Sequence, residues 1–193
     1  MVSHIELESL LATFSELYRP TPSECELLRS SLIRVHFSKG ERIQKAGERC
    51  SRIWFLKKGF AREITRDPET GTARTTWFWF ASEFIFGSPF FFSRQSSVTD
   101  LDAITDCKLL ELSYFDLFRL KELSADIELV VERMRAKCEM ERSAHATALL
   151  VLSSKDRYLR YYNLHRELFN VARHKDIAIF LGIKDDGFNR FKP

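Results

Sequence analysis

The chain has 193 residues, 45% of them hydrophobic and 30% charged, with a net charge of +3. That balance describes a globular chain with a sizeable core and excludes an intrinsically disordered one. Charge is uneven: residues 154–193 hold nine Lys or Arg against five Asp or Glu, while residues 1–153 are net −1, so an anionic partner is expected at the C-terminal end.

Cys25, Cys50, Cys107 and Cys138 lie far apart with no CxxC spacing, which argues against a disulfide framework, a zinc knuckle or cluster ligation. Reduced thiols and a cytoplasmic location are expected. The first residues lack a basic stretch followed by an apolar one, so no signal peptide is read. The richest apolar run, Trp77 to Phe92, is interrupted by Glu83 and Pro89 and is too short for a bilayer; no membrane partner is expected.

Residues 5–18 carry Leu7, Leu10, Leu11, Phe14, Leu17 and Tyr18 at helical spacing and predict an amphipathic helix ended by Pro20-Thr21-Pro22. Ser23 is the expected cap of a second helix, with Glu24 and Glu26 suited to its positive end. From Val35 onward, Gly40, Gly47, Gly59, Gly71 and Gly87 punctuate short alternating runs, the texture of hairpins in a β-roll or sandwich. In Asp67-Pro68-Glu69-Thr70-Gly71 proline fixes one φ and glycine permits a positive one, so strands through Ala61–Ile64 and Thr75–Phe80 should pair. Nine of the 25 aromatic residues fall within residues 76–92. They read either as the core between two sheets or as the lining of an apolar ligand pocket.

From about Leu117 to Leu152 glycine and proline vanish, which predicts one long helix. Leu123, Ile127, Val130, Met134, Ala144, Ala148 and Val151 recur at alternating three-four spacing with Lys137 and Glu141 in the same stripe, as in a two-helix seam. Ile127, Val130, Met134, Glu141 and Ala148 are therefore the expected homodimer contacts. The other reading buries this stripe against the chain's own β-domain.

Residues 174–193 read as two short helices broken at Leu181-Gly182-Ile183, either a helix-turn-helix or a packing hairpin. In the first reading Lys184 to Lys192 is the recognition helix, burying Ile183, Phe188 and Phe191 and turning Lys184, Asp185, Asp186, Asn189 and Arg190 outward. An amide at Asn189 can pair doubly with adenine and a guanidinium at Arg190 doubly with guanine. Arg173, Lys175, Lys184 and Lys192 would meet phosphates of double-stranded DNA. Gly187 and the lysine in the capping position weaken that helix, and Asp185 and Asp186 oppose the phosphates.

No catalytic set is found. Only one of five histidines, His36, lies in the β-rich region, so a jelly-roll metal site lacks its imidazoles. Neither a phosphate-cradling glycine loop nor a Gly-x-Ser-x-Gly elbow is present. An enzyme is not expected, nor a metal.

Taken together, FSKGERIQKAGE (37–48), IWFLKKGFAR (53–62), FIFG (84–87), LDAITDCKLLELS (101–113), SSKDRYLRYY (153–162) and DIAIFLGI (176–183) resemble the Crp–Fnr superfamily over essentially the whole chain. The resemblance implies an α+β chain: a jelly-roll sensor domain of the cyclic-nucleotide-binding kind at 1–116, a long dimerisation helix at 117–152 and a helix-turn-helix DNA-binding domain at 153–193. It implies a ligand-responsive homodimeric transcription regulator that binds double-stranded DNA and contacts RNA polymerase. It places the effector near Phe86, Gly87, Ser88, Arg94, Ser96 and Ser97.

The usual glutamate after the cassette glycine is Ser88 here, and the phosphate-binding arginine position falls near Ser97. Cyclic AMP is therefore not the expected effector; a different small effector or none is, and an iron–sulfur cluster lacks its N-terminal cysteines. The alternative is a sensor or protein-interaction module whose helix-turn-helix no longer binds DNA.

Overall fold

A computed structural model describes residues 2–14, 18–87, 90–184 and 188–191, with Asn189 as backbone alone. Expectations for Leu17, Ser88, Asp185, Asp186, Gly187 and Lys192 lie outside the described residues.

The glycine-punctuated middle forms β1 (Ile33–Phe37), β2 (Arg42–Gln44), β3 (Arg52–Lys58), β4 (Ala61–Arg66), β5 (Ala73–Trp79), β6 (Phe84–Ile85), β7 (Thr99–Ala103) and β8 (Cys107–Ser113). They pair antiparallel in two four-stranded sheets, ordered β1-β8-β3-β6 and β2-β7-β4-β5. This is a jelly-roll-like domain, with alternate residues turned inward. The β4–β5 hairpin pairs Ala61 with Trp79 and Arg66 with Ala73. Its turn is held by Asp67, whose carboxylate accepts from the backbone N–H groups of Glu69 and Thr70 at 3.0 and 2.9 Å, and by Gly71 at φ +66°. Between the sheets Leu56, Ile85, Phe86, Phe91, Leu101 and Leu109 are at most 1% exposed, so most of the aromatic run serves as packing.

Before the roll lie α1 (His4–Ala12) and α2 (Pro22–Ser31). The first helix is shorter than its apolar spacing predicts: Thr13 closes it and its hydroxyl bonds back to the Leu10 carbonyl at 2.6 Å. Thr21, rather than Ser23, caps the second. Pro22 takes the first helical position, where its missing N–H costs nothing, and Thr21 and Glu24 form a reciprocal capping box.

The stretch expected as one long helix is two: α4 (Tyr114–Leu123) and α5 (Ala125–Val151), following the single turn α3 (Phe90–Ser93). Ser124 separates them with extended backbone at φ −151°. The break lets Leu120 on α4 and Ile127, Val130 and Val131 on α5 converge with α1 and α2 in one apolar cluster against Phe55 and Leu110 of the roll. Beyond α5 come α6 (Ser154–Leu164), α7 (Arg166–Val171) and α8 (His174–Phe180), then a 3-10 turn at Asn189–Phe191. No described helix is long and apolar enough to cross a membrane.

Candidate nucleic-acid interface and sensor interior

The C-terminal helices share a core with Phe78 of β5, in which Tyr158, Leu168, Ile177, Ala178 and Phe188 are at most 2% exposed. Helix α8 ends where Gly182 takes φ +61°; the N–H groups of Gly182 and Ile183 bond back to the carbonyls of Ile179 and Ala178 at 3.1 and 2.9 Å. This double closure satisfies carbonyls that the helix end leaves free, and only glycine takes that conformation without strain. Ile183 and Phe188 are buried and Phe191 half-buried, whereas Lys184 and Arg190 are exposed. The sides expected of the second element therefore agree for these residues; the Phe188 N–H bonds to the Lys184 carbonyl at 3.3 Å, and the 3-10 turn follows it. Arg173 and Lys175 are exposed at the start of α8. Arg173 is engaged, its guanidinium donating to Asp176 at 2.8 and 3.1 Å.

Of the residues expected around an effector, the described ones divide between the core and the surface. Phe86 is core, its ring 5.4 Å from that of Phe92. A Cβ added at Gly87 would stand 2.9 Å from the Cys50 sulfur, so this glycine serves close packing. The hydroxyl of Ser97, 2% exposed, donates to the Thr99 carbonyl at 2.7 Å and accepts from the Thr99 N–H. Arg94 and Ser96 are exposed, and the guanidinium of Arg94 lies 4.9 Å from the centre of the Tyr114 ring.

At the opening of the roll toward α5 stands a pair that the sequence reading missed. Arg142 of α5 donates to the Glu63 carboxylate of β4 at 2.8 and 3.2 Å, and its guanidinium lies 4.9 Å from Trp77 and 5.9 Å from Trp79. The carboxylate of Glu63, 4% exposed, also accepts from Thr76. A lone inward glutamate in a strand, paired in alternation with apolar neighbours, was the available signal; its partner 79 residues away was not.

Helix α5 presents two faces. Ile127 and Val130 are buried within the chain and Met134 packs partly against the roll, which removes the first half of the expected dimer stripe. Its β-domain takes that side because those residues complete the apolar cluster with α1, α2 and α4. Glu141 and Ala148 are half-buried at the edge of a cleft. Another stripe is exposed and its middle borders the same cleft: Leu129 (45% exposed), Met140 (71%) and Leu150 (87%), with Ala136, Ser143 and Thr147 between them. From Ala136 to Leu150 the steps are four, three, four and three residues, the spacing of a coiled-coil seam.

The cleft, about 950 Å³, lies between β5, the second half of α5 and the C-terminal helices. Two imidazoles stack flat on phenylalanines there, His145 on Phe180 at 4.0 Å and His165 on Phe80 at 4.2 Å between ring centres. Burial holds both below the usual histidine pKa. Burial also raises Glu83, at the same cleft, to about 7, with the nearby Glu141 adding to the effect. Among the described residues no group of three or more His, Cys, Asp or Glu is placed to hold a metal ion.

Residues 34–123 match the cyclic nucleotide-binding domain family. Among solved structures, the chain is similar to the c-di-GMP responsive global regulator CLP of Xanthomonas campestris, at 17% identity and TM-score 0.65, covering 89% of each chain. A protein from Eubacterium rectale described as a Crp/Fnr-family transcriptional regulator matches at 17% identity and TM-score 0.70, covering 89% of this chain and 82% of that one. FixK2 from Bradyrhizobium japonicum matches at 17% identity and TM-score 0.69, covering 83% and 82%. These likenesses establish a shared fold. No curated protein sequence gives a significant match.

Proposed function

We propose that this chain, a cyclic nucleotide-binding-domain protein with the Crp–Fnr fold, is a homodimeric, effector-responsive regulator that binds double-stranded DNA through its C-terminal helices. The observation that carries this reading is the order of parts: a roll, the 27-residue helix α5 with an unpartnered seam, and a basic helical end whose first element closes on Gly182. In this reading residues 1–116 sense, α5 pairs with its copy along Met140 and Leu150, and residues 153–193 reach the DNA. Arg190 and Asn189 read bases, while Lys175, Lys184 and Lys192 meet phosphates. Arg173 joins them once it leaves Asp176. The filled interior near Gly87 and the commitment of Ser97 to its own backbone disfavour cyclic AMP as the effector.

Sequencing the genomic fragments that the purified protein retains at low and moderate salt tests this. Enrichment of a palindrome with half-sites about one turn apart, and affinity falling steeply with salt, is the expected result. Salt-insensitive retention, or no enriched sequence, would refute it. The second reading, a sensor or protein-interaction module, is favoured by one observation: α8 is packed on β5 of the roll, Phe180 lying 5.2 Å from Phe78 and 5.9 Å from Trp77 between ring centres.

A further inference from the structure

The roll's second sheet carries a line of alternating charges on the face opposite Leu101. Arg66 meets Asp100 at 3.2 Å, and Asp100 meets Arg42 at 2.8 Å. Arg42 meets Asp102 at 2.5 Å, and Asp102 meets Arg62 at 3.5 Å. Arg62 then leaves the sheet and meets Asp176 of α8 at 2.5 Å, and Asp176 meets Arg173. The three aspartates are at most 8% exposed, so each negative charge depends on the cations beside it. The rung from Arg62 to Asp176 joins the sensor roll to the basic helices. It stands beside the apolar docking of Phe180 on Trp77 and Phe78.

We infer that this line is an autoinhibitory clamp: Arg62 holds α8 on the roll through Asp176, and so holds the basic C-terminal helices against the sensor roll. The inference rests on the DNA-binding reading for its consequence but not for the clamp itself. Opening breaks one ion pair together with the apolar docking of Phe180 on Trp77 and Phe78. Without Arg62, Asp102 keeps Arg42 and Asp176 keeps Arg173, so neither carboxylate is left buried and unpaired. Asp176 then moves with α8, still paired to Arg173.

The test compares amide hydrogen exchange and DNA binding in the full chain and in Arg62→Ala. Exchange across His174–Leu181 should rise about tenfold, the low end for one charged hydrogen bond because Phe180 still docks. Exchange across Pro22–Ser31 should not change. Arg62→Lys should give a smaller rise, since one ammonium cannot span two carboxylates as a planar fork does. It serves as the test if the alanine variant disturbs the whole fold. Affinity for DNA held by the wild type should rise by a similar factor.

Unchanged exchange in α8 would overturn the clamp. Faster exchange with unchanged or weaker affinity for such DNA would overturn the inhibitory role. Faster exchange in a protein that holds no DNA in either form would support the clamp and overturn the regulator reading instead.

Discussion

Replacing Arg142 with leucine should cost about 3 kcal/mol of folding stability. The guanidinium makes two hydrogen bonds to Glu63, whose side chain is 5% exposed, and it stands over Trp77. Leucine fills part of the volume but leaves the carboxylate without its cation. Breaking one partner of such a pair costs roughly 3–5 kcal/mol, because the surviving charge must be desolvated alone. Thr76 still donates to Glu63, which places the loss at the low end. For a chain of this length each kcal/mol lowers Tm by roughly 2–4 °C, so a fall of about 6–12 °C is expected alongside a lower urea midpoint. The double variant Glu63→Gln, Arg142→Leu removes the stranded charge while keeping an acceptor for Thr76. It should recover to within about 1 kcal/mol of wild type. If the single variant loses less than about 1 kcal/mol, or the double is no more stable than the single, the pair is not holding α5 to the roll electrostatically.

Met140→Glu places a charge on the exposed seam of α5 at a side chain that is 71% exposed, so it should convert a dimer to a folded monomer in sedimentation velocity; a persisting dimer would remove the seam. Glu83 makes stability pH-dependent in a defined direction. Its folded pKa, about 7, lies above the ordinary 4.5, so its contribution is fully present below about pH 4.5 and lost as pH rises through about 7. This amounts to about 1–2 kcal/mol after solvent screening. His145 and His165, held low by burial, act oppositely, losing stability as pH falls below about 6.5. Glu83→Gln should therefore abolish the decline toward neutral pH and leave stability that rises with pH through the histidine range, read by urea titration from pH 5 to 8. An unchanged profile would place the carboxyl in solvent.

What the sequence made legible was local. The turn at Asp67–Gly71, the pairing of its flanking strands and the helix end at Gly182 each depend on a few adjacent residues whose backbone preferences agree. The stripe on α5 was legible as a period but not as a direction, because a seam facing a copy and a seam facing the same chain carry the same spacing. The break at Ser124 left no glycine or proline to announce it; it follows from how α4 and α5 both reach one cluster. The effector residues were placed by resemblance, and the close approach of the Gly87 backbone to Cys50 could not be read from either residue alone. The ladder from Arg66 to Arg173 draws on β2, β4, β7 and α8, so no window of sequence contains it.

The two faces of α5 are mechanically linked. On the inner side Cys138 sits in the core of the roll and Arg142 is fixed to Glu63, while one turn on His145 stacks on Phe180 of α8. On the exposed side Met140 lies in sequence between Cys138 and Arg142, and Leu150 lies beyond His145. A rotation of α5 that repacks the outer seam must displace the Arg142 guanidinium from Glu63 or slide His145 across Phe180. Conversely, lifting α8 from the roll removes the ring on which His145 rests. If α5 pairs with its copy as proposed, the arrangement of the seam and the docking of α8 are two readouts of one helix position. Arg142 and His145 are the residues through which one constrains the other.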